Sequence, residues 1–216
     1  MEFSVKAVIR GTVCAIALVA ALTGCGSDGG TAAVGNGGGV GSGSGGGKGK
    51  ASGPLTAEQL RSALPTGTDL GRNYKAENEP AVAIGGEEAR KHCAETTGAT
   101  CEGLVAAGAA EINHARRREG KAEFSLFSFD SPKAATAAMK SLADKKRAAI
   151  EPTPTPVEVQ AGANETDAFG NNRVTAVTMR VDSVLVYVWA VEIEVDEAKA
   201  AAKLQVDRLK AVHGGH

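Results

Sequence analysis

The chain has 216 residues with 24 basic and 25 acidic side chains, a formal net charge of −1. That balance excludes the strongly basic face expected of a nucleic-acid-binding protein. Only 4% of the residues are aromatic, so any core must be packed largely with alanine and valine, through many small contacts.

Residues 1–24 read as an export signal, with Lys6 and Arg10 ahead of an apolar run from Val13 to Leu22. Leu22-Thr23-Gly24-Cys25 resembles the lipobox of bacterial lipoproteins. The resemblance implies that Cys25 takes a diacylglyceryl group on sulfur and becomes the new N-terminus on the outer face of the cell membrane. Two acyl chains anchor stably where one holds only marginally. The alternatives are a plain secretory signal and a transmembrane anchor. An anchor needs about 20 apolar residues, and the run from Arg10 to Cys25 is shorter and holds Gly11, Thr12, Thr23 and Gly24. Cleavage would remove Glu2, Lys6 and Arg10 and leave a net charge of −2.

Residues 25–54 form a Gly/Ser-rich tract with half of the chain's 28 glycines. It has too little apolar surface to offset its ordering entropy and is expected to be a disordered tether. As a random coil it would reach about 30 Å, and about 100 Å at full extension.

Residues 55–216 are expected to fold as one domain. Thr56-Ala57-Glu58-Gln59 has the capping-box pattern, and Leu60 and Leu64 share a helical face before Pro65. Thr66 to Gly71 reads as a turn. Tyr74 to Ile84 is a weak extended segment, placed at an edge by Pro80. A helical turn is expected from Glu87 to Cys93.

Cys14 lies in the signal and Cys25 is the lipid site, which leaves Cys93 and Cys101. An even pair in an exported domain predicts a disulfide, stabilising by roughly 2–3 kcal/mol. A metal site of His92, Cys93 and Cys101 lacks a fourth ligand at zinc spacing; two free thiols are the remaining alternative.

Two strands follow, Ala110 to Arg117 and Ala122 to Phe129, separated at Glu119-Gly120. Phe124, Leu126, Phe127 and Phe129 occupy both parities, which predicts a strand covered on both faces or one ending in a cleft. Ser131 then caps a helix with Pro132 at its first position, and Ala135, Met139 and Leu142 form the apolar stripe down to about Ala149. Glu151 to Pro156 is an extended connector, Val157 to Gln160 a short strand, and Gly162 to Asn172 a polar loop around Phe169. Arg173 to Val181 and Val184 to Val195 read as a hairpin across Asp182-Ser183. Asp196 caps a last helix with the stripe Ala198, Ala202, Val206 and Leu209. The expected class is α+β: an antiparallel or mixed sheet with helices packed mainly on one face.

No catalytic motif is present. His92, His114, His213 and His216 have no acid at relay spacing, so neither enzyme activity, a metal nor a cofactor is expected. Arg116, Arg117, Arg118 and Lys121 form the densest basic cluster, either an anion contact or a solvated strand end. Phe169 with Asn171 and Asn172, and Trp189, are candidate ligand contacts on the view that polar loops on rigid sheets carry function. The alternative makes Phe169 a plug beneath the loop, and Trp189 core along with Phe124, Phe127, Phe129 and Tyr187.

Leu55 to Leu60, the cysteine segment, Phe124 to Phe129 with the Ser131-Pro132 helix, and the Arg180 to Val186 hairpin resemble actinobacterial exported lipoproteins. Their domain is similar to the extracellular sensor domain of PknH-type serine/threonine kinases, from about Leu55 to Val212. The resemblance implies a mixed sheet, helices around a ligand cleft, and disulfide staples. This chain departs in having one cysteine pair and no kinase segment in its 216 residues. The expectation is a membrane-anchored, monomeric module of the cell envelope that binds a small ligand, or else docks onto an envelope protein without one.

Overall fold

The computed structural model describes residues 53–77 and 81–214, and among them the apolar runs 122–129 and 184–191 lie at the centre of the sheet. The expected signal, Cys25, almost all of the 25–54 tract, Pro80 and His216 fall outside the described residues. In chain order the elements are α1 (Ala57–Ala63), β1 (Tyr74–Ala76), β2 (Val82–Gly85), α2 (Gly86–Thr97), β3 (Leu104–His114) and β4 (Lys121–Phe129). They continue with α3 (Pro132–Ala149), β5 (Thr155–Pro156), β6 (Glu165–Gly170), β7 (Val174–Val181), β8 (Val184–Val191) and α4 (Val195–Gly214). The strands form one open sheet in the order β1-β3-β4-β8-β7-β6-β5, with β2 also paired to β3, and every pairing is antiparallel.

The α+β class, the single folded unit and the antiparallel sheet agree with the sequence. Successive strand residues point to opposite faces, and the core divides accordingly. Phe124 and Leu126 of β4 join Val184, Val186 and Val188 of β8 beneath α1 and α4. Phe127 and Phe129 join Leu185 and Tyr187 beneath α2 and α3. The helices therefore sit as two pairs, one pair to each set of strand residues, and β4 is covered on both faces as its two apolar parities predict.

Local signals account for the element ends. Thr56 and Gln59 form the reciprocal capping box at α1. Ser131 accepts the Ala134 amide at the start of α3, with Pro132 following. The hairpin turns at Asp182, which takes the left-handed conformation at φ 51°. Cys93 and Cys101 are joined in a disulfide, so neither sulfur is a thiolate ligand. The Thr97 hydroxyl donates to the Cys93 carbonyl and lies 3.5 Å from the Cys101 sulfur, tying the end of α2 to the bridge.

Several expected boundaries move. The turn expected at Glu87 to Cys93 is the twelve-residue helix α2, which stops at Gly98 in the left-handed conformation. The strand expected at Ala110 to Arg117 begins instead at Leu104 and ends at His114. Its Ala-Ala-Gly-Ala-Ala run has low intrinsic strand preference, but a thin strand lets α1 approach: a Cβ on Gly108 would lie 3.2 Å from Leu64. The segment 74–84 resolves into β1 and β2, laid end to end along the outer edge of β3. Val157 to Gln160 is not a strand; pairing with β6 occurs one step earlier, at Thr155 and Pro156. β8 ends at Val191, and α4 opens at Val195 with the Glu197 carboxylate, not Asp196, accepting the Glu194 amide.

Phe127 is fully buried between β4 and the α2–α3 pair. Phe127→Ala should lower unfolding free energy by roughly 3–5 kcal/mol, read from the urea midpoint. The exposed Lys140→Ala should change it by no more than about 0.5 kcal/mol. Equal effects would contradict this packing.

Candidate functional site

α2 and α3 roof only part of the sheet face they cover. Past the end of α3, Glu111 of β3, Glu123 and Ser125 of β4, and Trp189 of β8 are half-exposed. The register sets Glu111 against Glu123, Glu123 against Trp189, Trp189 against Ala176 and Ala176 against Phe169. One row thus crosses five strands, with neighbours about 4.8 Å apart.

The last turn of α3 lies over this row. Arg147 stands 4.4 Å above the Phe169 ring and holds Asp167 by contacts of 2.7 and 2.8 Å. Lys145 donates to the Glu95 carbonyl at 2.6 Å. Lys146 differs from both neighbours. Its ammonium is 5.1 Å from the Tyr187 ring centre and 5.2 Å from that of Trp189, while the two rings are 6.2 Å apart. Among the described residues it makes no hydrogen bond or ion pair. Burial lowers its pKa, only partly opposed by the charge of Glu123.

Beneath Lys146, the Tyr187 hydroxyl is buried and has no hydrogen-bond partner among the described residues. Burial, and then the charge of Glu123, push its ionisation far above the ordinary phenol range. A buried hydroxyl left unpaired costs about 1–3 kcal/mol. Glu123 is not a free acceptor for these groups, because Lys121 holds it at 2.6 Å and also reaches Glu111 at 3.5 Å. Burial disfavours the Lys121 charge, but its bonds to Glu123 and Glu111 outweigh that and raise its pKa. The arrangement offers two uncommitted donors beside a partly open indole.

The candidate residues inferred from sequence are partly gathered here. Trp189 lies in the row and is half-exposed. Phe169 lies in the same row but in a strand rather than a loop, and is 1% exposed. The segment reads as a loop because it is polar, yet Glu165 is held by Arg180 and Asp167 by Arg147. Those partners come from β7 and α3, so nothing within the segment reveals them. Asn171 organises the β6–β7 turn, its side-chain oxygen accepting the Arg173 and Val174 amides. Asn172 is exposed in that turn. Lys146, Tyr187 and Glu123 were not foreseen as a site. One signal was readable: Lys146 follows Met139, Leu142 and Ala143 at helical spacing, a lysine on the buried stripe of α3.

Other candidates are consumed by the fold. Arg117 pairs with Glu194 and Glu197, Lys121 with the carboxylates above, and Arg116 and Arg118 are exposed, so the basic cluster disperses. The His114 Nδ1 accepts the Arg116 and Arg117 amides. His92 stacks on Phe127, and His213 lies 3.3 Å from Asp182. A cavity of about 160 Å³ lies between α4 and the β1 edge, lined by Leu70, Tyr74, Ile193, Glu197 and Leu204 among others. Its acids already have partners, Glu197 in Arg117 and Asp69 in Arg208. That distinguishes it from the Lys146 site.

Burial and then Glu197 push Tyr74 up to about 12 from the ordinary 10, and Tyr187 also ionises late. These are the chain's 2 tyrosines. Near pH 11, between the ordinary value of 10 and about 12, the folded protein should therefore show little tyrosinate absorbance, whereas urea-unfolded protein shows most of it. The unfolded state loses its protons first, so this stability is complete below pH 10 and is lost as the pH rises through about 12. A tyrosine titrating near 10 in the folded protein would contradict the burial described.

No protein-family model matches the chain, and no curated protein matches it by sequence. Among solved structures, the extracellular domain of PknH from Mycobacterium tuberculosis matches with a TM-score of 0.50 at 14% sequence identity. The match covers 73% of this chain and 98% of that one. At that identity the likeness shows a shared fold alone.

Proposed function

We propose that this chain is a lipid-anchored, extracytoplasmic, non-catalytic module that binds a ligand at the open end of the α2–α3 face of its sheet. The carrying observation is the pair of donors, the Lys146 ammonium and the Tyr187 hydroxyl, that lack partners beside half-exposed Trp189. Convergent polar groups set among apolar and aromatic side chains are a feature of small-molecule sites. The lipobox-like Leu22 to Cys25 supports the anchor, and a fold shared with an extracellular domain supports the compartment. On this reading Trp189 touches the ligand, Phe169 braces α3 through Arg147, and Asn171 and Asn172 stand at the neighbouring turn. The 25–54 tract keeps the domain close to the membrane and clear of it.

Docking onto an envelope protein through an apolar face fits less well. Such a face needs a contiguous apolar patch, and among the described residues the exposed large hydrophobics are Val82 and Val195, at 53% and 37%.

Intact mass spectrometry of protein purified gently from its own membranes tests this reading. Under denaturing conditions the expected mass begins at an acylated Cys25 and lacks the two protons of Cys93–Cys101. Under native conditions an additional bound mass is expected, and Trp189→Ala should lose it while remaining folded. An unmodified Cys25 would overturn the membrane placement. A bound mass that Trp189→Ala leaves intact would move the ligand elsewhere on the fold.

A further inference from the structure

The structure assigns a chemical class to the ligand: we propose that the Lys146 site takes a single carboxylate carried on a flat or ring-shaped apolar body. This rests on the ligand-binding reading above and narrows it.

The first argument is donor chemistry. An ammonium donates only, and the Tyr187 phenol stays protonated at any ordinary pH and so keeps a proton to donate; one acceptor oxygen can therefore serve both unpartnered groups. Charge-assisted bonds from such donors are the stronger kind. The Lys146 ammonium hangs over the ring that bears the hydroxyl. No hydrogen bond among the described residues fixes it there, so a turn of its side chain gives an incoming oxygen a route towards Tyr187.

The second argument is a charge count. Of the three cations in sequence at the end of α3, Arg147 is balanced by Asp167, while Lys145 donates to the Glu95 backbone carbonyl and keeps its charge. Lys146 alone of the three has neither a hydrogen bond nor an ion pair among the described residues, and it is the charge that faces Tyr187 and Trp189. Glu123 lies close enough to act on both Lys146 and Tyr187, and its pairing with Lys121 offsets its charge without removing it. A monoanion is balanced by Lys146, whereas a dianion would bring an excess charge towards Glu123. Half-burial of the ammonium strengthens the one-to-one pairing relative to water.

The third argument is shape. Trp189 is half-exposed in the middle of a sheet, set between Glu123 and Ala176, with Tyr187 and Val191 on the same face of its own strand. A partly exposed indole beside the Lys146 ammonium suits a planar or ring-shaped body that carries its charge at one end.

Trp189 is the chain's only tryptophan, so one indole N–H resonance, or the whole tryptophan emission, reports on this site alone. The full chain in mild detergent would be titrated with benzoate, with its neutral analogue benzamide and with the dianion phenyl phosphate. Benzoate is expected to perturb Trp189 saturably, with a Kd about tenfold below either other probe, or more. Lys146→Met should bring benzoate and benzamide within about twofold of each other, since the stem is kept and the charge removed. Tyr187→Phe should weaken benzoate severalfold while the near-ultraviolet circular dichroism stays native. Benzamide binding as well as benzoate would overturn the carboxylate and leave the site reading standing. Tighter binding of phenyl phosphate would overturn the single-charge count. No perturbation of Trp189 by any of the three would overturn both this inference and the site on which it rests.

Discussion

The fold depends on one pairing, that of β4 with β8. Every other ladder joins strands within one of two groups: β1, β2, β3 and β4 on one side, and β5, β6, β7 and β8 on the other. β4 and β8 meet from Lys121–Val191 to Ser128–Val184, more than fifty residues apart in sequence, with α3 in the connection between the groups. Closing a chain segment of that length has an entropic cost before any contact rewards it. The contacts that offset it are the most apolar in the molecule, Phe124 and Leu126 on one face and Phe127 on the other, against alternate residues of β8. Without that ladder each group would be a meander with an unpaired apolar edge, open to pairing with another chain.

The same pairing creates the candidate site. It sets Glu123 beside Trp189 and Ser125 beside Tyr187, so carboxylate, indole and phenol share one patch although the carboxylate lies on a strand more than fifty residues before the two rings. α3 completes the patch by ending above it. Its eighteen residues make a rod of about 27 Å, and the extended backbone at Ile150 stops it while Trp189 is still partly uncovered. Basic residues in a last helical turn are favoured by the helix dipole, and Arg147 and Lys146 occupy that turn. Arg147 finds Asp167. Lys146 faces two aromatic rings instead, which attract a cation but accept no strong hydrogen bond from it.

Much of the architecture was legible because its signals are local. The Thr56–Gln59 capping box, the Ser131-Pro132 start, the Asp182-Ser183 turn and the Cys93–Cys101 pair each act within a few residues, and each forms as read. The misread segments are those whose partners lie elsewhere. β3 is built of alanine and glycine because α1 and α2 press on it, a demand written in the helices and not in the strand. β6 looks like a polar loop because its charges are answered by Arg147 and Arg180. Phe169 therefore sits in the core rather than at a loop tip, and Asn171 serves its own turn. Of the four proposed contacts, Trp189 alone combines half-exposure with a neighbouring unpartnered donor.

The sequence by itself determined where α1 and α3 begin, which residues face inward along β4, α3 and α4, and which cysteines pair. Periodicity, capping and composition act over a few residues and need no knowledge of the partner. The tertiary structure alone decided strand order, the division of the helices between two packed clusters, and which polar groups are left unsatisfied. Whether Lys146 or Tyr187 has a partner depends on the sum of everything packed around it. That sum exists only once β8 has entered beside β4 and α3 has come down across them.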